Sequence, residues 1–141
     1  MKKVIAIILA LCALCLVGCG KIRELKQEVE EVTEFTEKFS SAMSSNDPEK
    51  MEECIHPNSK IDEDRVFAVI EEFKQNNDVD ASQGVVIDKV GDFELANDSA
   101  LDGNVYKVTC DLVVGGVPVS VMLTILNNDA GCGVYDFEIV E

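Results

Sequence analysis

The sequence predicts an α+β domain in which three N-terminal helices pack on an antiparallel sheet of four to five strands. Up to about residue 77, apolar residues recur every three or four positions, which is the spacing of a helix with one buried face. From about residue 85 they alternate with polar residues, as in a sheet with one covered face. Helices followed by strands are typical of a two-layer arrangement.

The first helix is predicted to extend to about Ser44. Its apolar stripe consists of Ile22, Leu25, Val29, Val32, Thr36, Phe39 and Met43. Phe35 and Ala42 widen the stripe in the second half, so the first half is predicted to be a stalk or a thinly packed helix and the second to pack on the core. Glu34 and Lys38, four residues apart, are expected to form an ion pair.

Two shorter helices are predicted to follow. Asp47 is expected to cap the second, with Pro48 in its first position. This helix is expected to end before Pro57, which disfavours helical geometry at His56. The third helix is expected to begin near Asp62 and to end near residues 76–77. Its inward residues are predicted to be Val66, Phe67, Ile70 and Phe73.

A two-residue loop, Gly115-Gly116, is predicted to close a hairpin and to fix its register. The expected pairs bring the apolar faces of both strands together. They are Val114 with Val117, Leu112 with Val119, and Cys110 with Val121.

The strands on either side of this hairpin are less tightly specified. Residues 85–87 and 93–95 flank Gly91 and form either a hairpin or one bent strand. Asp102-Gly103 marks a turn, as does the segment 127–131. A last strand is expected to place three residues on the core face: Tyr135, Phe137 and Ile139.

The N-terminus has the features of an export signal. Lys2 and Lys3 precede a fourteen-residue apolar run, 4–17, which is shorter than the roughly 20 residues that a membrane-spanning helix needs. The run ends in Leu16-Val17-Gly18-Cys19, which resembles the lipobox of bacterial lipoproteins. The resemblance implies cleavage between Gly18 and Cys19, and attachment of diacylglycerol to the Cys19 thiol.

This resemblance implies three segments: a signal peptide, 1–18; the lipidated Cys19 with a membrane-proximal helical stalk, 19–32; and a single α+β domain, 33–141. The expected location is the extracytoplasmic face of the cell membrane, held by the lipid on Cys19. The basic residues Lys21, Arg23 and Lys26 either attract anionic headgroups or simply keep the segment soluble.

The charge of the chain limits its partners. The net charge is −15, and without residues 1–18 ten basic side chains remain against 27 acidic ones, a net charge of −17. Such a chain repels phosphate backbones, so no nucleic-acid partner is expected. A cationic partner, a divalent cation or merely a solvated acidic surface each fits this balance.

Two patterns extend the fold prediction. They are Phe35-x-x-x-Phe39-x-x-Ala42-Met43 and Asn46-Asp47-Pro48-Glu49-Lys50-Met51. With the order of elements, they resemble the nuclear transport factor 2-like superfamily, and in particular its small uncharacterised bacterial lipoproteins, over Thr33–Glu141. The resemblance implies a cystatin-like cone with a curved sheet. The superfamily includes enzymes, ligand-binding modules and assembly modules, so it does not fix an activity.

Few residues suggest catalysis or metal binding. His56, the only histidine, is expected to have a capping or surface role at a helix end. Cys54, Cys110 and Cys132 have no strong metal-site spacing, and Cys110 is expected in the core. If Leu126 opposes Cys132, that cysteine lies on the other face of the sheet. No catalytic, metal-binding or cofactor-binding residue is predicted.

The leading functional hypothesis is a non-catalytic module that binds a small molecule, a peptide or an envelope protein. A second hypothesis is assembly, because the stripe from Ile22 to Met43 also fits a coiled-coil seam of about three heptads. The third, a hydrolase or isomerase that uses an Asp or Glu inside the cone, ranks lowest.

Overall fold

A computed structural model of the chain describes residues 26–96 and 98–140. Across these residues the chain forms three helices and one four-stranded antiparallel sheet, which confirms the predicted α+β class. The helices are α1 (26–45), α2 (Pro48–Cys54) and α3 (Glu63–Asn76). The strands are β1 (Val85–Ala96), β2 (Asn104–Val114), β3 (Val117–Asn128) and β4 (Gly131–Val140).

Residues Val32–Glu141 form one compact unit, and from Val32 onward α1 belongs to its core. Val32, Phe39 and Ala42 are fully buried, and the Phe39 ring lies 5.7 Å from the ring of Phe137 on β4. The sheet therefore uses this part of the predicted stripe, which leaves no open coiled-coil seam between Val32 and Met43. Val29, before the unit, is 41% exposed.

The cap predicted for α2 is confirmed, and α3 begins at the predicted place, where Asp62 is its cap. The Asp47 side chain accepts a hydrogen bond from the Lys50 amide, and the Asp62 side chain accepts one from the Arg65 amide. Asn46, at φ 51°, ends α1 in the left-handed region that asparagine tolerates. The turn between α1 and α2 is therefore only two residues long.

The sheet is a meander of order β1-β2-β3-β4, and the predicted hairpin register is confirmed. Val114 pairs with Val117 around the two-residue loop. Gly115 and Gly116 have φ values of 56° and 83°, the left-handed conformation that a tight hairpin turn requires.

β1 is one bent strand, which resolves the alternative left open by the sequence. Its pairing with β2 shifts between Ile87 and Lys89 and again between Val90 and Phe93. Gly91 lies inside the second shift, where a Cβ atom would come within 2.7 Å of the Thr109 carbonyl oxygen. The absence of a side chain at Gly91 therefore permits the bend.

The prediction that Tyr135 lies on the core face is wrong. Thr124 pairs with Asp136 but Ile125 pairs with Val134, so Tyr135 is an extra residue in β4. This irregularity changes the phase of the strand, and Val134 is the residue that is fully buried in the core. Phe137 and Ile139 contact the core as predicted.

Candidate functional site

An open groove of about 1100 Å³ lies between α3 and the ends of β2, β3 and β4. We call it the hairpin groove, because it surrounds the end of the sheet next to the Gly115-Gly116 turn. Its volume is at the upper end of the range for small-molecule sites, and its mouth is open.

Helix α3 forms one wall of the hairpin groove. Val69 and Phe73, four residues apart, share a face of the helix and contact the hydrophobic core. Arg65 and Glu72 also line the groove, and both are exposed. The wall therefore combines an apolar base with charged side chains above it.

The opposite wall contains residues from both faces of the sheet. Leu112 opposes Val119 and both are buried, whereas the next opposed pair, Asp111 and Ser120, points to the other face because side chains alternate along a strand. All four line the groove. The groove therefore passes around the end of the sheet.

The part of β3 next to the Gly115-Gly116 turn also lines the groove. The last described pair between β3 and β4 is Ser120 with Val140, so β3 extends beyond it through Val117–Val119. Pro118 lies in this extension and lines the groove. Because proline has no N–H group, this edge of β3 offers fewer donors to an added strand.

The hairpin groove has an excess of negative charge. Four carboxylate side chains and one basic side chain line it: Glu72, Asp88, Asp111, Glu138 and Arg65. Asp111 accepts a hydrogen bond of 2.7 Å from the Ser120 hydroxyl, which holds its side chain in place. Among the described residues, the ion pairs are Lys38–Glu34, Lys50–Asp47 and Lys74–Glu71, so none neutralises a carboxylate of the groove.

His56 lies outside the groove, and the prediction of a capping or surface role is wrong because the residue is 1% exposed. The Asn58 amide donates to Nδ1 at 3.0 Å, so Nε2 carries the ring proton. Nε2 donates to Asn128 Oδ1 at 3.0 Å and to the Gly131 carbonyl oxygen at 3.2 Å. Nε2 therefore joins the 55–60 segment to the β3–β4 turn, while the bond at Nδ1 holds the ring within its own segment.

Asn128 extends this network to a third segment. Its Oδ1 also accepts from the Ala130 amide, and its Nδ2 donates to the Asp102 carbonyl oxygen at 2.9 Å. The neighbouring residues Val105 and Leu126 are also buried. Their side chains point to the face of the sheet opposite to the main core cluster. This end of the sheet is therefore a packed structural region.

None of the three cysteines in the described part of the chain forms a disulfide. Burial raises the pKa of the Cys110 thiol to about 11, and burial is also the main cause of the raised pKa of Cys54. Both thiols therefore stay protonated near neutral pH, and Cys54 donates a hydrogen bond to the Lys50 carbonyl oxygen at 3.2 Å. The core position predicted for Cys110 is confirmed.

Cys132 does not lie where the sequence placed it. Its partner on β3 is Asn127, whereas Leu126 pairs with Gly133. Cys132 therefore shares the face of Ile125 and contacts the edge of the core, instead of lying on the opposite face. The displacement by one position moves the side chain to the other side of the sheet.

The predicted lipidation and cleavage residues, Cys19 and Gly18, lie outside the described residues. Within residues 26–96 and 98–140, no helix combines the length and the apolar character needed to cross a membrane. The same residues contain no cluster of three or more histidine, cysteine or acidic side chains with the geometry of a metal site.

The hairpin groove was not identified from the sequence. Two local signals point to it in retrospect: Pro118 close after a tight turn, and Arg65 and Glu72 seven residues apart on one helix face. Comparison with protein-family profiles, curated proteins and solved structures finds no match to this chain.

Proposed function

We propose that this protein is a lipid-anchored, non-catalytic binding module on the extracytoplasmic face of the cell membrane. Its ligand, a small molecule, a peptide or part of an envelope protein, occupies the hairpin groove. The observation that carries the proposal is the groove itself, with a volume of about 1100 Å³, an apolar base and charged walls.

The positions of the titratable groups support a binding role over catalysis. His56 is committed to a buried structural network, and burial raises the pKa of the thiols of Cys54 and Cys110. The groove carboxylates of Glu72, Asp88 and Glu138 are exposed, whereas acid–base catalysts commonly lie in clefts that partly bury them. These features favour recognition through shape and charge.

The arrangement of helices over one face of a four-stranded sheet is compatible with a cystatin-like cone of the nuclear transport factor 2-like superfamily. We propose this finer fold assignment together with the function. It draws on the order of the elements and on the capped α2 helix that follows α1. In such a cone the groove is a recess at the end of the sheet.

Native mass spectrometry of the full-length chain, purified from cells in a mild detergent without added ligand, tests the binding role. We expect a reproducible additional mass. Asn76→Trp places a large ring in the groove and should remove that mass. Gln75→Trp, on the neighbouring exposed residue of α3 that does not line the groove, is the matched control and should retain it. A spectrum of the wild-type chain without any additional mass would count against a tightly held ligand.

The lipid anchor rests on Leu16-Val17-Gly18-Cys19 and has its own test. Metabolic labelling with a palmitate analogue should mark the wild-type chain and not Cys19→Ala. Cys15→Ala removes a cysteine that lies within the apolar run and should leave the labelling unchanged. Labelling of Cys19→Ala at the wild-type level would overturn the proposal that Cys19 carries the lipid.

A further inference from the structure

We infer that the occupant of the hairpin groove is a peptide segment that carries basic side chains beside apolar ones. This inference rests on the proposed binding function and specifies its ligand class. It follows from three features of the groove: the position of its buried apolar residues, the excess of carboxylates that form no ion pair with a described residue, and its open shape.

Buried apolar residues form the base of the groove on the helix-covered side of the sheet. Val69 and Phe73 of α3 lie with Leu112 and Val119 on the helix-covered side of the sheet. A ligand bound there must offer apolar side chains, because burial of apolar surface is the main favourable contribution available on this side.

The acidic side chains continue around the end of the sheet. Asp111 lies on the face opposite to Leu112, and Glu138 opposes Met122 on that same face. With Glu72 and Asp88 against Arg65, the lining has an excess of three negative charges, and no described residue forms an ion pair with these carboxylates. A cationic ligand matches this excess, whereas an anionic one is repelled.

The shape of the groove favours a chain over a compact small molecule. The groove is open and passes from one face of the sheet to the other, so a ligand that uses both parts must be elongated. Pro118 removes an N–H donor from β3, which makes simple extension of the sheet at this residue less favourable. Recognition therefore depends on the side chains of the bound segment.

Three synthetic probe peptides of about ten residues separate these contributions: one of alternating leucine and lysine, one of leucine and glutamate, and one of serine and lysine. Binding to the full-length chain in a nonionic detergent is measured by fluorescence anisotropy. We expect the leucine–lysine peptide to bind most tightly. The leucine–glutamate peptide should not bind, and the serine–lysine peptide should bind at least about tenfold more weakly, since it lacks apolar side chains.

Two double variants localise the interaction. Asp111→Asn with Glu138→Gln removes two groove charges. It should lower the affinity for the leucine–lysine peptide by about tenfold at low salt. Glu49→Gln with Glu52→Gln removes two exposed charges of α2, outside the groove, and should change its affinity less than about twofold. Equal weakening by both pairs would show nonspecific attraction to an acidic protein and would overturn the inference.

The result also separates this inference from the proposed function. An additional mass in the native spectrum that Asn76→Trp removes, together with no preference for the leucine–lysine peptide, would retain a binding module and reject a basic peptide as its ligand. Selective binding of that peptide, lost in the Asp111→Asn and Glu138→Gln variant, would support both.

Discussion

Nε2 of His56 and Oδ1 of Asn128 lie 3.0 Å apart and join two segments that are separated by 72 residues of sequence. The same asparagine binds the Asp102 carbonyl oxygen, so one side-chain pair connects the segment after α2 to two strand-connecting turns. The hydrogen bonds at both ring nitrogens fix the imidazole as a structural group.

His56→Ala should therefore destabilise the domain by about 2–4 kcal/mol, because it creates a cavity and leaves buried polar groups without partners. Urea unfolding followed by circular dichroism measures the loss. The matched variant Asn128→Ala and the double variant complete a mutant cycle, in which we expect a coupling energy of about 1 kcal/mol. Simple additivity of the two single effects would contradict a direct interaction.

Gly133→Ala should destabilise the domain by about 1–3 kcal/mol, because its Cβ would lie 2.8 Å from the His56 nitrogen and 3.0 Å from the Cys54 carbonyl oxygen. Those neighbours are backbone atoms that cannot rotate away. Gly84→Ala is the control, since a Cβ there meets nothing within 4 Å. Gly84→Ala should be neutral or slightly stabilising, because alanine reduces the conformational entropy of the unfolded chain. Equal melting temperatures for the two variants would refute the close approach.

Lys74→Met tests a buried ammonium group. Lys74 is 7% exposed, and its Nζ donates to Glu71 Oε1 at 2.7 Å and to the Ala81 carbonyl oxygen at 3.1 Å. We expect a loss of about 1–2 kcal/mol and faster amide exchange in residues 77–84, which this side chain holds against α3. Lys50→Met removes an exposed pair with Asp47 and should cost less than about 0.5 kcal/mol. Unchanged exchange in 77–84 would show that the loop is held by other contacts.

The raised pKa of the Cys110 thiol predicts a fall in the stability of the domain at alkaline pH. Its pKa rises from 9.0 to about 11 on burial, so the folded state retains a proton that the unfolded state loses. The stabilisation is complete below pH 9.0 and is lost as the pH rises toward about 11, amounting to roughly 2–3 kcal/mol. Urea midpoints at pH 8 and pH 10.5 should therefore diverge more in the wild type than in Cys110→Ala. An equal divergence would assign the alkaline loss to other groups.

Local signals made most of the fold predictable. Asp47 and Asp62 mark helix starts through their own side-chain geometry, and the Gly115-Gly116 turn fixes the register of β2 and β3 because it leaves one way to close the hairpin. These features depend on residues close in sequence, so a single chain reveals them.

The errors have non-local causes. The phase of β4 changes at an extra residue, Tyr135, and nothing in the alternating sequence indicates it. His56 is buried by partners 72 and 75 residues away. The hairpin groove likewise combines residues of α3 with residues of β2, β3 and β4 that are far apart in the sequence.

The bends in β1 have a consequence for crowding. A protein held at a membrane surface, as proposed, meets its own copies far more often than a freely diffusing one does. β1 is one of the two outer strands of the described sheet, and its two register shifts interrupt the straight row of backbone groups that a second copy would need to pair with this edge. Exposed Asp92 and Glu94 add like-charge repulsion between copies. If the chain is anchored as proposed, this irregular edge makes pairing of β1 with the edge of a second copy less favourable.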